Sequence, residues 1–406
     1  MKIFDTIRLS ILFLFFLLLP SQLGTYYFFP FAFLNGIRID YLAPSIFITD
    51  LLAIVLIVLY IRPVMRFLLQ RRVIAILLIV LISAYYGLVP GIGILNTIKL
   101  LELLAIAGIT IAAVRRNETR TARLFVTASL IGAMFQVTLA VLQLSEMRAI
   151  QGFFYWFGER FITVGTPDAA IGSIAGRLFL RPYGTFSHPN SLGGFYLLLY
   201  TLILTWPATK VVARQRAVAL ICCLMLVMLS FSTAAIITFA VINLVIFWNV
   251  IMQQTCRLCG IARVIILLVI TGIFATTKGD PLSVEKRIWL IDSALEIIRQ
   301  SPLLGVGLGS YVIAQNQFPI FYNSYFLQPV HNIILLFLAE VGLVGGGAII
   351  ALLVSPFMKI INNRVFQYCF GVVLITGMVD HYWLTLQQNQ LLFFVVLGVL
   401  SKDSSR

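Results

Sequence analysis

Long apolar stretches separated by short polar breaks recur along the chain from Ile7 to Leu400. Since a helix that crosses a membrane needs about 20 mostly apolar residues, this pattern predicts about twelve transmembrane helices. We place them near 9–33, 45–61, 73–90, 94–114, 124–145, 190–208, 217–231, 233–250, 264–277, 332–358, 365–379 and 386–400. The two spans on either side of Ser230–Thr233 are short, so one long tilted helix is the alternative there.

No polar interruption is long enough to fold alone, so the pattern predicts a single all-α polytopic membrane domain over residues 1–406. The composition agrees, because 61% of the residues are hydrophobic and 11% are charged, whereas soluble proteins average about 25% charged residues. The first apolar stretch is not followed by a small-residue cleavage site, so we expect it to remain as a helix.

The basic residues predict the orientation in the membrane. They cluster in alternate short loops, for example at Arg71–Arg72, Arg115–Arg116 and Arg214–Arg216, and such clusters stay on the cytoplasmic side. With both termini in the cytoplasm, most of the 29 Lys and Arg residues lie inside, so the net charge of +14 reflects topology rather than nucleic-acid binding. We expect a multi-pass protein of the cytoplasmic membrane that contacts membrane lipids and no nucleic acid.

The predicted topology leaves two long segments on the outer, periplasmic side, near 146–189 and 278–331, and we expect them to form the active-site face. The chain has only three histidines, His188, His331 and His381, and each lies in a polar break at the outer membrane edge. Because the ordinary pKa of histidine lies near neutral pH, these residues are candidates for acid–base chemistry.

The motifs around these histidines resemble those of the bacterial O-antigen ligase family, which also includes polymerase-like and protein-glycosylating members. The resemblance covers about residues 175–400, and because each motif is short, their order and spacing carry it. The motifs are Arg181-Pro-Tyr-Gly-Thr-Phe-Ser-His-Pro-Asn, Arg287-Ile-Trp, Ser301-Pro-Leu-Leu-Gly-Val-Gly, His331-Asn-Ile-Ile-Leu and Ala339-Glu-Val-Gly.

The resemblance implies a GT-C-type glycosyltransferase that acts on the outer side of the membrane without a metal or other cofactor. Its donor would be a glycan on undecaprenyl diphosphate, and its acceptor a hydroxyl of the lipid A core, another glycan or a protein. The sequence does not separate a ligase from a polymerase. A flippase for the same lipid-linked sugar is the alternative of another class, but transporters place substrate charges near the bilayer midplane between repeated halves, and we find no convincing repeat.

Within this interpretation, the departing diphosphate requires fixed cations. We assign Arg181 and Arg287 to it, because a guanidinium stays charged and can bind two phosphate oxygens at once. His331 is the expected base or acceptor-orienting residue. The residues expected to contact substrate are His188, Asn190, Asn332, Arg177, Asp380, His381 and Tyr183. A structural role is the alternative for several of them, above all for His188, which precedes a proline as in a helix entry.

The sequence of the second outer segment, 278–331, predicts a helix on the membrane surface that starts at Asp280-Pro281. Its expected apolar stripe is Ile288, Ile291, Leu295 and Ile298, opposite the charged residues Glu285, Asp292, Glu296 and Arg299. The glycines of 305–309 predict a tight turn that allows close backbone approach. Glu340 lies inside an apolar span beside several glycines and is either functional or structural.

Two further features indicate no metal site. The chain has no Asp-x-Asp motif, and the pair Cys256 and Cys259 has no second pair with zinc-binding spacing.

Lys99 and Glu102, three residues apart in one span, are expected to form an ion pair with a structural role.

Overall fold

The structure is a computed structural model that describes residues 2–166, 169–174, 177–251, 264–265, 268–269, 272, 282–321 and 324–401. Its helices are α1 (Lys2–Leu18), α2 (Ile48–Leu59), α3 (Ile61–Leu68), α4 (Arg71–Tyr85), α5 (Pro90–Arg116), α6 (Glu118–Glu146), α7 (Pro189–Thr205), α8 (Ala213–Leu229), α9 (Thr233–Ile251), α10 (Ser283–Gln300), α11 (Tyr311–Gln315), α12 (Ile333–Ile360), α13 (Arg364–Gly377), α14 (Tyr382–Thr385) and α15 (Gln387–Leu400). Short antiparallel pairs join β1 (Gly24–Tyr26) with β4 (Ser45–Phe47), β2 (Phe33–Leu34) with β3 (Ile37–Arg38), β5 (Ile171–Ile174) with β6 (Arg177–Leu180), and β7 (Ile320–Phe321) with β8 (Ser324–Tyr325).

The mostly helical, apolar architecture is that of a multi-pass membrane protein, as predicted. Within the described ranges, four helical segments are long and apolar enough to cross a membrane: Pro90–Arg116, Glu118–Glu146, Pro207–Leu229 and Ile333–Ile360. A fifth would be α2 and α3 taken together, although they meet at an angle of 94°. The predicted number of about twelve spans is therefore not confirmed, and the predicted ninth span, 264–277, falls largely outside the described residues. Around Ser230–Thr233 the chain forms two helices, α8 and α9, rather than one.

The predicted first span, 9–33, is wrong beyond Leu18. Helix α1 ends there, and residues 24–47 run instead through β1 to β4 and two short 3-10 turns. Pro20 and Pro30 cannot continue a helix, and the backbone groups of this segment pair across strands, with Gly24 opposite Phe47. Asn35 and Gly36 form the turn between β2 and β3 with positive φ angles of 51° and 79°, as expected for an Asn-Gly hairpin.

Helix α7 lies at the centre of the molecule, since nearly every one of its side chains is buried. It packs against α8, α9, α13 and α15. Gly194 in its first turns leaves room for the Tyr382 ring, which a larger side chain would displace. This close approach brings the beginning of α7 beside the connection between α13 and α14.

Helix α12 is broken at Gly342, whose φ of 73° and ψ of 173° are not helical. The glycine-rich turn after α10 fills the break: Val344 N donates to Leu303 O at 3.1 Å, and Gly307 N donates to Glu340 O at 2.9 Å. The freed backbone groups are thus satisfied inside the protein. The glycines of 305–309 permit close backbone approach, as expected.

Helix α10 is present as predicted, but its buried face differs from the predicted stripe. Leu290, Ala294 and Ile297 are buried, whereas Ile288 and Leu295 are 54% and 51% exposed. Small residues at 293 and 294 let α10 approach α12 closely, so packing selects a face that hydrophobicity alone did not indicate. The expected start at Asp280-Pro281 lies outside the described residues.

Candidate active site

Asp380, in the connection between α13 and α14, joins three parts of the chain. One carboxylate oxygen, Oδ2, accepts a hydrogen bond from Asn190 Nδ2 at 2.9 Å. The other, Oδ1, accepts from the backbone N–H of His381 at 2.8 Å and lies 3.7 Å from His331 Nδ1. Asp380 is buried and connects the starts of α7 and α12 with the end of α13.

Arg181 is held by one edge of its guanidinium group. Nε and Nη2 donate to the Ser230 carbonyl at 3.1 and 3.0 Å, and Nη2 also donates to Asn190 Oδ1 at 2.7 Å. A guanidinium has five N–H donors. Among the described residues, the two donors on Nη1 have no hydrogen-bond partner, so this edge is available to an anionic ligand.

His331 directly precedes Asn332, which caps α12 by accepting from the backbone N–H groups of Ile334 and Leu335, each at 3.0 Å. The imidazole side chain is 19% exposed. Its distance of 3.7 Å from Asp380 is too long for a hydrogen bond, and Nδ1 has no other partner among the described residues. A proton gained by His331 would therefore be stabilised by the carboxylate that faces it.

His188 and His381 flank this pair. His188 Nδ1 accepts from the backbone N–H of Asn190 at 3.1 Å and so caps α7, which matches the expected helix-entry role. His381 Nδ1 lies 2.7 Å from Thr385 Oγ1, and its ring centroid is 5.0 Å from that of His331. Burial, aided by the charge of Arg181, lowers the pKa of His188 to about 3. Burial and the neighbouring His331 lower the pKa of His381 to about 3, so both rings are neutral at pH 7.

The charges of Asp380 and Arg181 are maintained despite burial. Burial alone would raise the pKa of Asp380, but the interaction with His331 outweighs it and holds the pKa below its usual value. Burial lowers the pKa of Arg181 to about 10, so the guanidinium remains cationic at neutral pH.

Arg287, the second arginine assigned to the diphosphate, influences Arg181 electrostatically. Its positive charge contributes to the lowered pKa of Arg181, which places the two guanidinium groups within electrostatic reach of each other. The side chain is half-buried and has no hydrogen bond or ion pair within the described part of the chain. Arg287 shares the buried face of α10 with Leu290 and Ala294, three and seven residues further along.

A cavity of about 1770 Å³ opens from this cluster, and Ser187, His188, His331, Asp380 and His381 line one end of it. The cavity extends between α2, α5, α12 and α15 along mostly apolar side chains. Its volume exceeds the roughly 300–1,000 Å³ of pockets for drug-sized ligands. Such a space suits a large amphipathic ligand with a polar group at the histidines.

The other expected contact residues have structural contacts. Asn332 is used as a helix cap and also donates to the Met378 carbonyl at 3.2 Å. Tyr183 is buried, its hydroxyl accepts from Ala170 N at 2.7 Å, and its ring lies 6.1 Å from the ring of His188. The side chain of Arg177 lies outside the described residues, although its backbone begins β6.

Two partners were missed from the sequence. The Ser230 carbonyl anchors Arg181, and the ring of Tyr41 lies 5.6 Å from that of His381. Tyr41 belongs to the segment whose extended form was not anticipated, and no motif surrounds it. The structure also pairs Asp380 with His331 through the side chain, and with its sequence neighbour His381 only through the backbone.

Polar residues deeper in the protein have defined partners. Lys99 contacts Glu102 at 3.0 Å, as predicted, and also Asp50 at 2.5 Å. The Glu340 carboxylate accepts from the backbone N–H groups of Gly309 and Tyr311, which supports the structural alternative for this residue.

His331, Asp380 and His381 offer ligand atoms that all lie within 4.8 Å of one another, so this trio could hold a metal ion. Both oxygens of Asp380 already accept hydrogen bonds, which a metal would have to share or displace. The expected absence of a metal therefore stays a prediction.

The family model described as O-antigen ligase matches residues 218–350, about a third of the chain. The match supports assignment of the chain to the O-antigen ligase family. It confirms the resemblance seen in the motifs and includes Arg287 and His331. Arg181, Asn190 and Asp380 lie outside the matched residues, and the fold connects them to His331 through Asp380. No curated protein and no solved structure shows a significant match to the chain.

Proposed function

We propose that the protein is an O-antigen ligase-type glycosyltransferase of the GT-C type. It transfers a glycan from undecaprenyl diphosphate to a hydroxyl of the lipid A core or of another glycan, on the outer side of the cytoplasmic membrane. One observation carries the proposal: the His331–Asp380 pair lines one end of a large, mostly apolar cavity, and Asn190 connects Asp380 to the buried cation Arg181.

The geometry supports a direct displacement. The acceptor oxygen attacks the anomeric carbon of the donor glycan, and the bond from that carbon to the diphosphate oxygen breaks with its electron pair. His331 takes the hydroxyl proton at Nε2, because Nδ1 faces Asp380. The imidazolium that forms is stabilised by the buried carboxylate.

The negative charge on the departing diphosphate is met by two kinds of positive group. Arg181 presents its Nη1 edge, and Arg287 adds a second cation from α10. The amino termini of α7 and α12 add the positive ends of two helix dipoles, because Asn190 and His331, which contact or face Asp380, lie at these termini. Charge stabilisation of this kind requires no metal ion.

The test is reconstitution of the purified protein in liposomes with an undecaprenyl-diphosphate-linked glycan and lipid A core. We expect transfer to the lipid A core that is lost in His331→Ala and Arg287→Ala. Arg299→Ala is the matched control, because this arginine lies on the same helix as Arg287, is 79% exposed and, within the described part of the chain, pairs only with nearby Glu296.

The product identifies the reaction. A longer glycan on the lipid carrier, without transfer to the lipid A core, would indicate a polymerase that uses the same donor. Lipid flipping that survives both substitutions, with no glycan transfer, would contradict the proposal and favour a transporter.

A further inference from the structure

The extended segment 24–47 forms a wall of the cavity beside the histidines. Tyr41 is 44% exposed, lines the cavity, and places its ring edge-to-face with that of His381. Its hydroxyl has no hydrogen-bond partner among the described residues. Tyr41 therefore presents both an apolar ring face and a free hydroxyl to whatever occupies this part of the cavity.

Two more exposed aromatic rings of the same segment line the cavity. Tyr27 is 46% exposed and Phe29 is 47% exposed. Aromatic residues at a membrane interface commonly contact lipid headgroups. These three differ, because they border the cavity that also contains His331 and Asp380.

The position of Tyr41 is held by its neighbours on both sides. Asp40 lies 2.9 Å from Arg160 Nη2 and 3.2 Å from Arg38 Nε, and Leu42 is buried. The three residues Asp40–Leu42 form a 3-10 turn. The ring is thus placed before a ligand arrives, which reduces the entropy cost of binding.

The contacts across the site run in a fixed order. Arg181 contacts Asn190, and Asn190 contacts Asp380. Asp380 faces His331 and accepts from the His381 backbone, and the His381 ring contacts both His331 and Tyr41. Along this path Tyr41 is separated from Arg181 by Asn190, Asp380 and His381. If the diphosphate binds at the arginines, the sugar that presents its hydroxyl to His331 lies towards Tyr41.

We propose that Tyr41, with Tyr27 and Phe29, binds a pyranose ring of the acceptor glycan. A pyranose has an apolar face of C–H bonds that stacks on an aromatic ring, and hydroxyl groups around its edge that bond to groups such as the Tyr41 hydroxyl. This assignment rests on the proposed transferase function and adds to it the part of the chain that selects the acceptor.

The first measurement is the transfer rate in liposomes as a function of acceptor concentration at saturating donor. Tyr41→Ala raises the KM for the acceptor by about threefold to tenfold, the range expected for one aromatic contact, with smaller changes in kcat and in the donor KM. Tyr41→Trp keeps most of the acceptor affinity because it retains a ring. Tyr85→Ala is the matched control, since Tyr85 is 67% exposed and lies outside the cavity lining, and it leaves the acceptor KM unchanged.

The second measurement is direct binding of two soluble probes, the oligosaccharide released from the lipid A core and the oligosaccharide released from the donor. Wild type and His331→Ala should bind one of them, and Tyr41→Ala should bind it several-fold more weakly. Transfer with an unchanged acceptor KM in Tyr41→Ala overturns the inference and leaves the transferase function standing. If wild type binds a probe in a Tyr41-dependent way but transfers no glycan, the transferase function is overturned and a glycan-binding site at Tyr41 remains. If wild type shows neither transfer nor binding, both the function and the inference are overturned.

Discussion

Replacing Asp380 with asparagine keeps the size of the side chain but removes its charge and converts one oxygen into an N–H donor. Both oxygens accept hydrogen bonds in the protein, from Asn190 Nδ2 at 2.9 Å and from the His381 backbone at 2.8 Å. Whichever way the new amide is turned, its NH2 group faces one of these donors. One buried donor is left without a partner, which costs roughly 1–3 kcal/mol of unfolding free energy.

The effect on the reaction is larger, because the lost charge faces His331. Two unit charges separated by the observed 3.7 Å attract each other by about 4 kcal/mol at an effective dielectric constant of about 20. If this attraction stabilises the imidazolium in the transition state, its loss reduces the rate by up to about a thousandfold. We expect kcat of Asp380→Asn to fall by roughly 100-fold to 1,000-fold.

The assay combines initial transfer rates in liposomes with thermal unfolding in detergent. Glu159→Gln is the matched control, because Glu159 is also buried and accepts hydrogen bonds, from Gln143 Nε2 at 2.7 Å and Ile150 N at 2.8 Å, but lies outside the cavity lining. We expect this control to lose stability but to retain most of its kcat per folded molecule. A folded Asp380→Asn protein that turns over at the wild-type rate would refute the role given to the carboxylate.

Three further predictions follow from the same site. Arg181→Lys keeps the charge but loses the two Nη1 donors and the Nε–Nη2 edge that bonds to Ser230 and Asn190. We expect kcat/KM for glycan transfer to fall by at least about tenfold, and an unchanged value would contradict the contact between Arg181 and the diphosphate. His188 and His381 have pKa values of about 3 in the folded protein, against an ordinary value of 6.5. Between pH 3 and pH 6.5 the unfolded chain therefore binds more protons than the folded protein, so the free energy of unfolding rises with pH in this window. Acidification from about pH 7 to about pH 5 should therefore cost roughly 2 kcal/mol per histidine in detergent unfolding, with a shallower slope in His381→Gln, and a flat profile would refute the assignment. A chelator should leave the transfer rate unchanged, whereas a strict requirement for a divalent ion would point to His331, Asp380 and His381 as its ligands.

Features encoded by neighbouring residues were accessible from the sequence. The last predicted span, 386–400, nearly coincides with α15 (Gln387–Leu400), because an uninterrupted apolar stretch and its polar flanks lie within one segment. The helix entry at His188-Pro189 is equally local, since a cap depends on the two or three residues that follow it.

Features that depend on packing were not accessible. Periodicity showed that α10 is amphipathic, but only contact with α12 determined that Leu290 and Ala294, rather than Ile288 and Leu295, are buried. In a membrane protein an exposed apolar side chain faces lipid at little cost, so hydrophobicity does not distinguish the protein-facing side from the lipid-facing side.

The sequence by itself determined the membrane class, the family resemblance and the small set of polar residues available for chemistry. Only the tertiary structure decided which of them meet. Asn190 and Asp380 are 190 positions apart, and they bond because α7 packs against α13. The same packing makes His331, rather than its neighbour in the sequence, the side-chain partner of Asp380, because such contacts are set by how helices pack and not by spacing along the chain.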